Sequence, residues 1–456
     1  MDKKKVNEVL KPNIIFLLVD SFRADKCYGN NKTSETPHID SLIKNGIYFT
    51  QAISLVDGTI LSLNSTFTAL FPSESKISIK KLYSGETSYI HTLKESGYHV
   101  YGIMPEVTSL SPLSNFCENE GATYNKGPPA KHLRDGLGQK ILDMLEPKKM
   151  KEPWFFFIHL MDLHWPLIVN EKYDSEKYGE SKYERIVSEI DTWIGKILEK
   201  IEMKNTLLVF TADHGHHIPI SDKGVTDFEP NLTLGLEIGK RLMPQFSHSF
   251  GAKAFILLRS IIREIRLGKA NRNLSPYEKR SRLPYFTRSL YDESIRVPLI
   301  FAGYGITPRI ISQQVSSVDI FPTIAEIVAL PRRNISVHGR SLVPLFQGKH
   351  IEELPVYIRS TPYETISSED VVGIRTSKYK YFRASHDKNK KVNLYDLKND
   401  PLENNNIADI HPDVVKEMEK IMTEITKYDL LEHEQEEMSE EEKEKIEKEL
   451  RKLGYM

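Results

Sequence analysis

The sequence predicts an α/β protein with a large mixed, mostly parallel sheet flanked by helices, and a smaller C-terminal α+β subdomain. Three apolar runs predict buried strands that end in polar clusters: NIIFLLVD (Asn13 to Asp20), PWFFFIHLMDLHWP and NTLLVFTADHGHH. Helical patterns such as Ser88 to His99 and Tyr183 to Glu202 lie between them, as βαβ units require. Because parallel strands end at a common edge of a sheet, the three polar clusters are predicted to meet there.

The later part of the chain predicts two further regions. IRVPLIFAGYG and DIFPTIAEIVALP extend the α/β series, which we expect to form one domain over residues 1–350. The pattern breaks down at about residues 218–284, interpreted as an insertion over the sheet edge. Its basic amphipathic helix, AFILLRSIIREIRLGK, fits either a surface helix packed on the core or a lid. In residues 351–456, DVVGIRTSKYKYFR and VNLYDL predict a small antiparallel sheet, followed by a helix and a charged helical tail.

Composition limits the partners and the compartment. The chain has 62 basic and 63 acidic side chains, so it has no overall field that would attract nucleic acid or an acidic membrane. Cys27 and Cys117 are too few for a disulfide framework and favour a reducing compartment. The apolar run Ile14 to Val19 is too short for a signal segment or a membrane span. We expect a cytoplasmic protein without a membrane span; the sequence leaves its oligomeric state open.

A carboxylate and imidazole set follows two of the predicted strands. Asp213 and His214 come directly after one strand, and Asp20 ends another. Such nitrogen and oxygen ligands suit a divalent cation, and Zn²⁺, Mn²⁺ and Mg²⁺ all fit them. The sequence therefore predicts a metal site at the carboxyl edge of the sheet.

Eleven motifs in order give the chain a resemblance to the sulfatase family within the alkaline phosphatase superfamily. They are PNIIFLLVDSFRAD, TPHIDSLIKNGIYFTQA, LKESGYHVYGI, FIHLMDLHWP, VFTADHG, LYDESIRVPLIF, VSSVDIFPTIAEI, HGRSLVPLF, GIRTSKYKYF, NLYDLKNDPLENNNIA and LRKLGYM. The resemblance implies a metal-dependent enzyme that acts on sulfate or phosphate esters of a small molecule or glycan. It also implies one bound divalent ion, which is Mn, Zn, Mg or Ca.

The same resemblance implies an unusual nucleophile. Formylglycine-dependent sulfatases carry a Cys-x-Pro-Ser-Arg motif, whereas TILSLNSTFTALFPS puts Thr59 at the Cys position and Ser62 at a later hydroxyl position that binds substrate. Formylglycine chemistry is then excluded, and Thr59 resembles the nucleophile of the phosphodiesterase and phospho-substituent transferase branches. The implied metal ligands are Asp20, Thr59, Asp213 and His214. The residues alone also allow Thr59 to be a helix N-cap, which is compatible with anion binding there.

Several basic residues of the family pattern are replaced. Ser21 stands where these sulfatases have a second Asp, and Leu63 falls on the motif's Arg. Ile103 and Pro105 replace the Lys and His of the Gly-Lys-Trp-His block. Arg288 is the only cation near the LYDES motif and is therefore the predicted substrate-binding residue. These losses favour a phosphoester enzyme or a degenerate member over an ordinary arylsulfatase.

Histidines supply the candidates for a general acid. His164 stands at the family's substrate-side histidine position, where it would protonate the leaving oxygen; a structural histidine is the alternative. Asp162 would orient His164 or cap the following turn. His216, His217 and His248 are further candidates for the acid or for a second metal, and no spacing rule chooses among them.

Three functions remain open at this stage. A metal-dependent hydrolase of sulfate or phosphate esters that uses Thr59 is the leading one. A phosphoethanolamine- or phosphoglycerol-type transferase is the second, although those relatives are membrane-anchored. A non-catalytic binding protein that keeps the fold is the third.

Overall fold

The computed structural model describes residues 11–72, 81–83, 85–127, 130–218, 220–221, 224–225, 261–262, 264–269, 271–280, 289–332, 336–362, 370–427 and 444. The strands are β1 Asn13–Val19, β2 Ile47–Ile53, β3 His99–Pro105, β4 Thr123–Tyr124, β5 Trp154–Leu160, β6 Thr206–Thr211, β7 Ile220–Ser221, β8 Gly224–Val225, β9 Arg296–Gly303, β10 Arg309–Ile311, β11 Val315–Ser316, β12 Val356–Arg359, β13 Val371–Arg375, β14 Tyr379–Ala384 and β15 Asn393–Asp396. The α-helices are α1 Ala24–Cys27, α2 Pro37–Asn45, α3 Thr59–Thr68, α4 Tyr89–Glu95, α5 Ser111–Phe116, α6 Leu137–Met144, α7 Lys182–Lys200, α8 Pro276–Arg280, α9 Asp292–Ile295, α10 Ile320–Ile327, α11 Val343–Phe346 and α12 Pro412–Lys427.

A mixed sheet forms the centre of the molecule. Within the described residues it has nine strands, in the order β10-β2-β9-β6-β1-β5-β3-β4, with β11 also paired to β2. β1 lies between β5 and β6 and is parallel to both, so that Leu18 is opposite His159 on one side and Thr211 on the other. β9 is antiparallel to its neighbours β6 and β2. This confirms the predicted fold class and brings the three predicted polar clusters to one edge.

Aromatic packing fixes the helices to the sheet. Phe16 on β1 contacts Phe67 of α3 at 6.1 Å between ring centroids and stacks on Phe321 of α10 at 5.5 Å. Phe157 on β5 joins the same group, and all four rings are fully buried. Each such ring removes 150–250 Å² from water, so this cluster stabilises the position of α3 relative to β1 and β5. The start of α3 is therefore held above the sheet edge.

The C-terminal residues form a second, antiparallel sheet in the order β12-β13-β14-β15. α12 covers it, and Met418 and Met422 of that helix pack in a core with Ile374 and Leu394. This arrangement confirms the small antiparallel sheet. The domain boundary at residue 350 stays a prediction, and the charged tail lies outside the described residues apart from position 444.

Most of the predicted insertion lies outside the described residues. Within it, residues 264–269 are helical and Pro276–Arg280 forms α8. Among all described residues, no helix combines the length and apolar character needed to cross a bilayer. Cys27 and Cys117 are both free thiols.

Candidate active site

Asp20 follows the central strand β1 and is 1 % exposed. Its Oδ1 accepts a hydrogen bond from the Ser21 hydroxyl at 2.6 Å, and its Oδ2 lies 3.2 Å from His159 Nε2. Burial by itself would raise the pKa of Asp20. The hydrogen bond from His159 and the neighbouring imidazoles of His164 and His214 instead hold that pKa well below its usual range. The carboxylate is therefore charged and oriented.

Ser21 orients both carboxylates of the site. Its backbone N–H donates to Asp213 Oδ1 at 3.2 Å, while its hydroxyl donates to Asp20. The residue has φ of 62°, a left-handed conformation that is unfavourable for a side chain with a Cβ. The strained backbone turns the amide towards Asp213 directly after β1. Ser21 thus orients Asp20 and Asp213, at the position where the motif series predicts a second Asp.

Asp213 and His214 follow β6 at the same edge of the sheet. Asp213 Oδ1 accepts the His214 N–H at 2.9 Å, whereas its buried Oδ2 has no hydrogen-bond partner in the described part of the chain. The backbone carbonyl of Asp213 accepts hydrogen bonds from Ser54 at 2.5 Å and Ser62 at 2.6 Å. The predicted substrate-binding hydroxyl of Ser62 thus faces the protein backbone and fixes Asp213. Its predicted role towards a substrate stays a prediction.

The His214 imidazole is fixed by the backbone. Its Nδ1 lies 2.6 Å from the Gly215 carbonyl oxygen, so Nδ1 carries the proton and Nε2 presents a lone pair. Burial would lower the pKa of His214, but Asp213 and Asp20 outweigh it and raise that pKa. Gly215 is required here, because a Cβ on it would lie 2.1 Å from the Glu293 carbonyl oxygen.

Thr59 is the first residue of α3 and lies beside Asp20 and His214. Its Oγ1 is 3.3 Å from Asp20 Oδ2 and 3.3 Å from His214 Nε2. The N-cap is Gly58, so the interpretation of Thr59 as the N-cap itself is wrong. Asp57 explains why: its carboxylate accepts the N–H groups of Ser289 and Thr361, which fixes the chain one residue before the cap.

His159 is a site residue that the sequence analysis missed. It lies inside β5, and its Nε2 groups with carboxylate oxygens of Asp20 and Asp213 so that all three atoms are within 4.8 Å of one another. Its buried Nδ1 has no hydrogen-bond partner among the described residues. The available signal was one imidazole in the otherwise apolar run FFFIHL, on a strand predicted to neighbour that of Asp20.

This group fits a divalent cation. Two carboxylates and an imidazole converge in a buried place, and an unpartnered carboxylate oxygen such as Asp213 Oδ2 is costly to bury unless something compensates its charge. Carboxylate oxygens and imidazole nitrogens are common ligands of divalent metal ions in proteins. His214 Nε2 lies 3.5 Å from Asp213 Oδ2, next to the group.

The other predicted residues have different positions. His164 is buried near Asp20, with its Nδ1 3.0 Å from the Trp165 carbonyl oxygen, and burial lowers its pKa. Asp162 Oδ1 accepts the Leu133 N–H at 3.0 Å. His216 is buried, which lowers its pKa far below the ordinary value. His217 Nε2 lies 3.5 Å from the Ser294 hydroxyl. His248 and Arg288 lie outside the described residues.

Comparison with known proteins decides the family. The sulfatase family model matches residues 12–329, and a model for the C-terminal part of N-sulphoglucosamine sulphohydrolase matches residues 284–429. The chain belongs to the sulfatase family. It is 24% identical over 464 residues to arylsulfatase K of Gallus gallus, covering 92% of this chain and 83% of that protein.

Solved sulfatase structures share the fold. A 2-O GAG sulfatase superposes with a TM-score of 0.63 at 16% identity, over 91% of each chain. The phosphonate monoester hydrolase of Agrobacterium radiobacter superposes with a TM-score of 0.62 at 14% identity, over 91% of this chain and 95% of that one. The chain is thus a sulfatase-family hydrolase of ester bonds, as the motif series predicts.

Proposed function

We propose that this sulfatase-family hydrolase cleaves sulfate or phosphate esters with the hydroxyl of Thr59 as its nucleophile and without a formylglycine. The observation that carries the proposal is the position of Thr59 Oγ1, 3.3 Å from both Asp20 Oδ2 and His214 Nε2. A side chain with only a capping role has no need of a carboxylate and an imidazole at that distance. A nucleophile in contact with groups that activate it is the recurrent arrangement in covalent catalysis.

Asp20, His159 and Asp213 would hold a divalent cation, with His214 and Thr59 beside it. Bound there, such a cation supplies positive charge that lowers the pKa of a nearby hydroxyl and stabilises charge that develops on a transferred group. The Nδ1 proton of His214 is held by the Gly215 carbonyl, which leaves the Nε2 lone pair of the neutral ring facing Thr59 Oγ1 at 3.3 Å. Ser21 keeps Asp20 and Asp213 in their orientations by donating to each.

The reaction proceeds in two displacements. The Thr59 hydroxyl gives its proton to His214 Nε2, 3.3 Å away, and Oγ1 forms a bond to sulfur or phosphorus as the bond to the leaving oxygen breaks. His164 in its protonated form gives that oxygen a proton. Water then displaces Thr59 and restores the hydroxyl. Two ligand carboxylates offset the charge of a divalent cation, so the centre favours a monoanionic group, namely a sulfate monoester or a phosphodiester. A small-molecule or glycan ester is the proposed substrate class.

A valine at position 59 tests the nucleophile, because it keeps the shape of threonine and removes the hydroxyl. Wild type, Thr59→Ser and Thr59→Val are compared on nitrophenyl sulfate, phosphate and phosphodiester substrates with and without Zn²⁺ or Mn²⁺. We expect metal-dependent turnover in wild type and Thr59→Ser, and a loss of about 10,000-fold or more in Thr59→Val.

Thr68→Val is the matched control, since Thr68 lies in the same helix and its hydroxyl donates to the Asn64 carbonyl. That variant should keep full turnover. Equal activity of Thr59→Val and wild type would overturn the proposed nucleophile, and wild-type turnover that is unaffected by chelation would overturn the metal.

A further inference from the structure

A buried lysine lies beneath the segment that carries His164. Lys131 is 1 % exposed, and its Nζ donates to the His164 carbonyl oxygen at 2.5 Å and to the Pro166 carbonyl oxygen at 3.2 Å. The two acceptors flank Trp165. One ammonium group therefore fixes the backbone on both sides of that residue.

The segment around Lys131 and the segment around His164 are joined a second time nearby. Asp162 Oδ1 accepts the backbone N–H of Leu133 at 3.0 Å, so the chain around Lys131 is held at the start as well as at the end of the His164 turn. The His164 N–H closes that turn on the Met161 carbonyl at 3.0 Å. Because these bonds hold the turn at both of its ends, the turn has little freedom to move relative to Lys131.

The orientation of the imidazole depends on this backbone. His164 Nδ1 lies 3.0 Å from the carbonyl oxygen of Trp165, the residue that Lys131 brackets. A rotation of the Trp165 peptide group would carry the ring with it. Thus Lys131 fixes the position of the Trp165 carbonyl group, and that carbonyl group fixes the direction in which Nε2 of His164 points.

Burial of an ammonium group costs free energy that a purely structural contact does not require. Burial is the main cause that lowers the pKa of Lys131 to about 8, while Asp162 and Asp20 favour its charged form. A charged donor makes hydrogen bonds to carbonyl groups roughly twice as strong as a neutral donor does. That added strength is useful where a small displacement of a reacting group is costly.

We propose that Lys131 is a positioning residue for His164, which it holds in the orientation that protonates the leaving oxygen. The inference deepens the proposed function and rests on it. The hydrogen bonds of Lys131 Nζ go to the His164 segment, so loss of Lys131 should impair proton donation and leave attack by Thr59 intact.

The leaving group separates these two steps. A 4-nitrophenyl ester releases a stable anion that needs no proton, whereas a phenyl ester of the same acid does need one. On the ester class that wild type hydrolyses, we expect Lys131→Met to lower kcat for the phenyl ester by about 10- to 100-fold. The KM for both esters, and kcat for the nitrophenyl ester, should change by less than about threefold.

Lys140 offers a matched control. Its Nζ likewise donates to two backbone carbonyls, those of Gly121 and Thr123, at 2.5 and 3.0 Å. Burial lowers the pKa of Lys140 as well, but it holds a loop that carries none of the proposed catalytic groups. Lys140→Met should leave the ratio of phenyl to nitrophenyl turnover unchanged. Should Lys131→Met not fold, Lys131→Gln replaces it and should show the same selective loss to a smaller extent.

His164→Ala distinguishes failure of this inference from failure of the proposed function. A selective loss on the phenyl ester in His164→Ala but not in the Lys131 variants would overturn the role of Lys131 and leave the function intact. If His164→Ala shows no selective loss on the phenyl ester, His164 is not the general acid, and the inference about Lys131 fails with it. Equal losses on both esters in the Lys131 variants would show a structural role alone.

Discussion

His159 illustrates how much one residue changes the chemistry of the site. It is the last residue but one of the buried strand β5, and its Nε2 lies 3.2 Å from Asp20 Oδ2. An uncompensated imidazole in such a strand costs free energy, since its Nδ1 has no partner among the described residues. The proposed role of Nε2 as a metal ligand accounts for the position of this imidazole beside Asp20.

Replacement of His159 by alanine should weaken binding of Zn²⁺ or Mn²⁺ by at least about tenfold, because it removes one of three converging donors. Titration calorimetry on metal-free protein measures this directly. His99→Ala is the control, since His99 also lies in a strand of the sheet but pairs with Glu118 at 2.9 Å, away from the site. Unchanged affinity in His159→Ala would show that this imidazole is not a ligand.

At the scale of elements, a carboxylate on one helix caps another. Asp191 on α7 accepts the N–H groups of His38 at 3.2 Å and Ile39 at 2.7 Å, at the start of α2. The N-cap residue Thr36 makes no side-chain capping bond, so Asp191 supplies the acceptor for these amides. This contact joins two helices that lie about 150 residues apart in the chain.

The Asp191 cap gives stability a defined pH dependence. Burial raises the pKa of Asp191 to about 6, above its value of about 3.9 in an unfolded chain. The folded state therefore binds the proton more tightly, and the contribution of Asp191 to stability is fully present below about pH 4 and lost as the pH rises through 6.

We expect the free energy of unfolding of wild type, relative to Asp191→Asn, to fall by about 2–3 kcal/mol between pH 4 and 6. Urea unfolding at several pH values measures the difference. Asp143→Asn, a change of an exposed carboxylate on α6, should show no such trend. A constant difference between wild type and Asp191→Asn across this range would contradict the shifted pKa.

At the scale of the whole molecule, the C-terminal sheet completes the site. Two residues after its strand β12 comes Thr361, whose N–H donates to the carboxylate of Asp57, two residues before Thr59. Gly58 approaches Thr361 so closely that a Cβ there would lie 2.4 Å from the Thr361 hydroxyl oxygen. The first turn of α3 is thus positioned by residues about 300 positions further along the chain.

A buried ionic network holds the two sheets together. Asp292 of α9 binds Arg375 through both carboxylate oxygens, at 3.0 and 2.8 Å, and pairs with Lys380 at 2.6 Å. Lys380 also pairs with Glu403 at 2.7 Å, and burial raises the pKa of that carboxyl to about 7. These charges are out of water, so each depends on its partners for compensation.

Removal of Lys380 should leave the buried Glu403 carboxyl without its partner cation and Asp292 with Arg375 as its main partner. We expect Lys380→Met to lower the free energy of unfolding by about 3–5 kcal/mol, as measured by urea denaturation. Lys200→Met breaks an ion pair with Glu146 at 2.6 Å on the surface and should leave stability nearly unchanged. A similarly small effect of both substitutions would mean that the network contributes little to holding the sheets together.

The sequence by itself determined the α/β class and the three polar strand ends, and it predicts Asp20, Asp213 and His214 as a metal-binding set. These features are local: apolar periodicity identifies a buried strand, and its last residue marks the sheet edge. The predicted helices over residues 88–99 and 183–202 correspond to Tyr89–Glu95 and Lys182–Lys200 for the same reason. The motif series added the family, and it predicts Thr59 as the nucleophile.

Only the tertiary structure decided which groups meet. His159 reaches Asp20 because β1 and β5 pair in a register that sets Leu18 opposite His159. Ser62 turns towards the Asp213 carbonyl, and Gly58 replaces Thr59 as the cap because Asp57 is held by Ser289 and Thr361. Strand register and long-range hydrogen bonds depend on segments that are remote in sequence, so no local pattern encodes them.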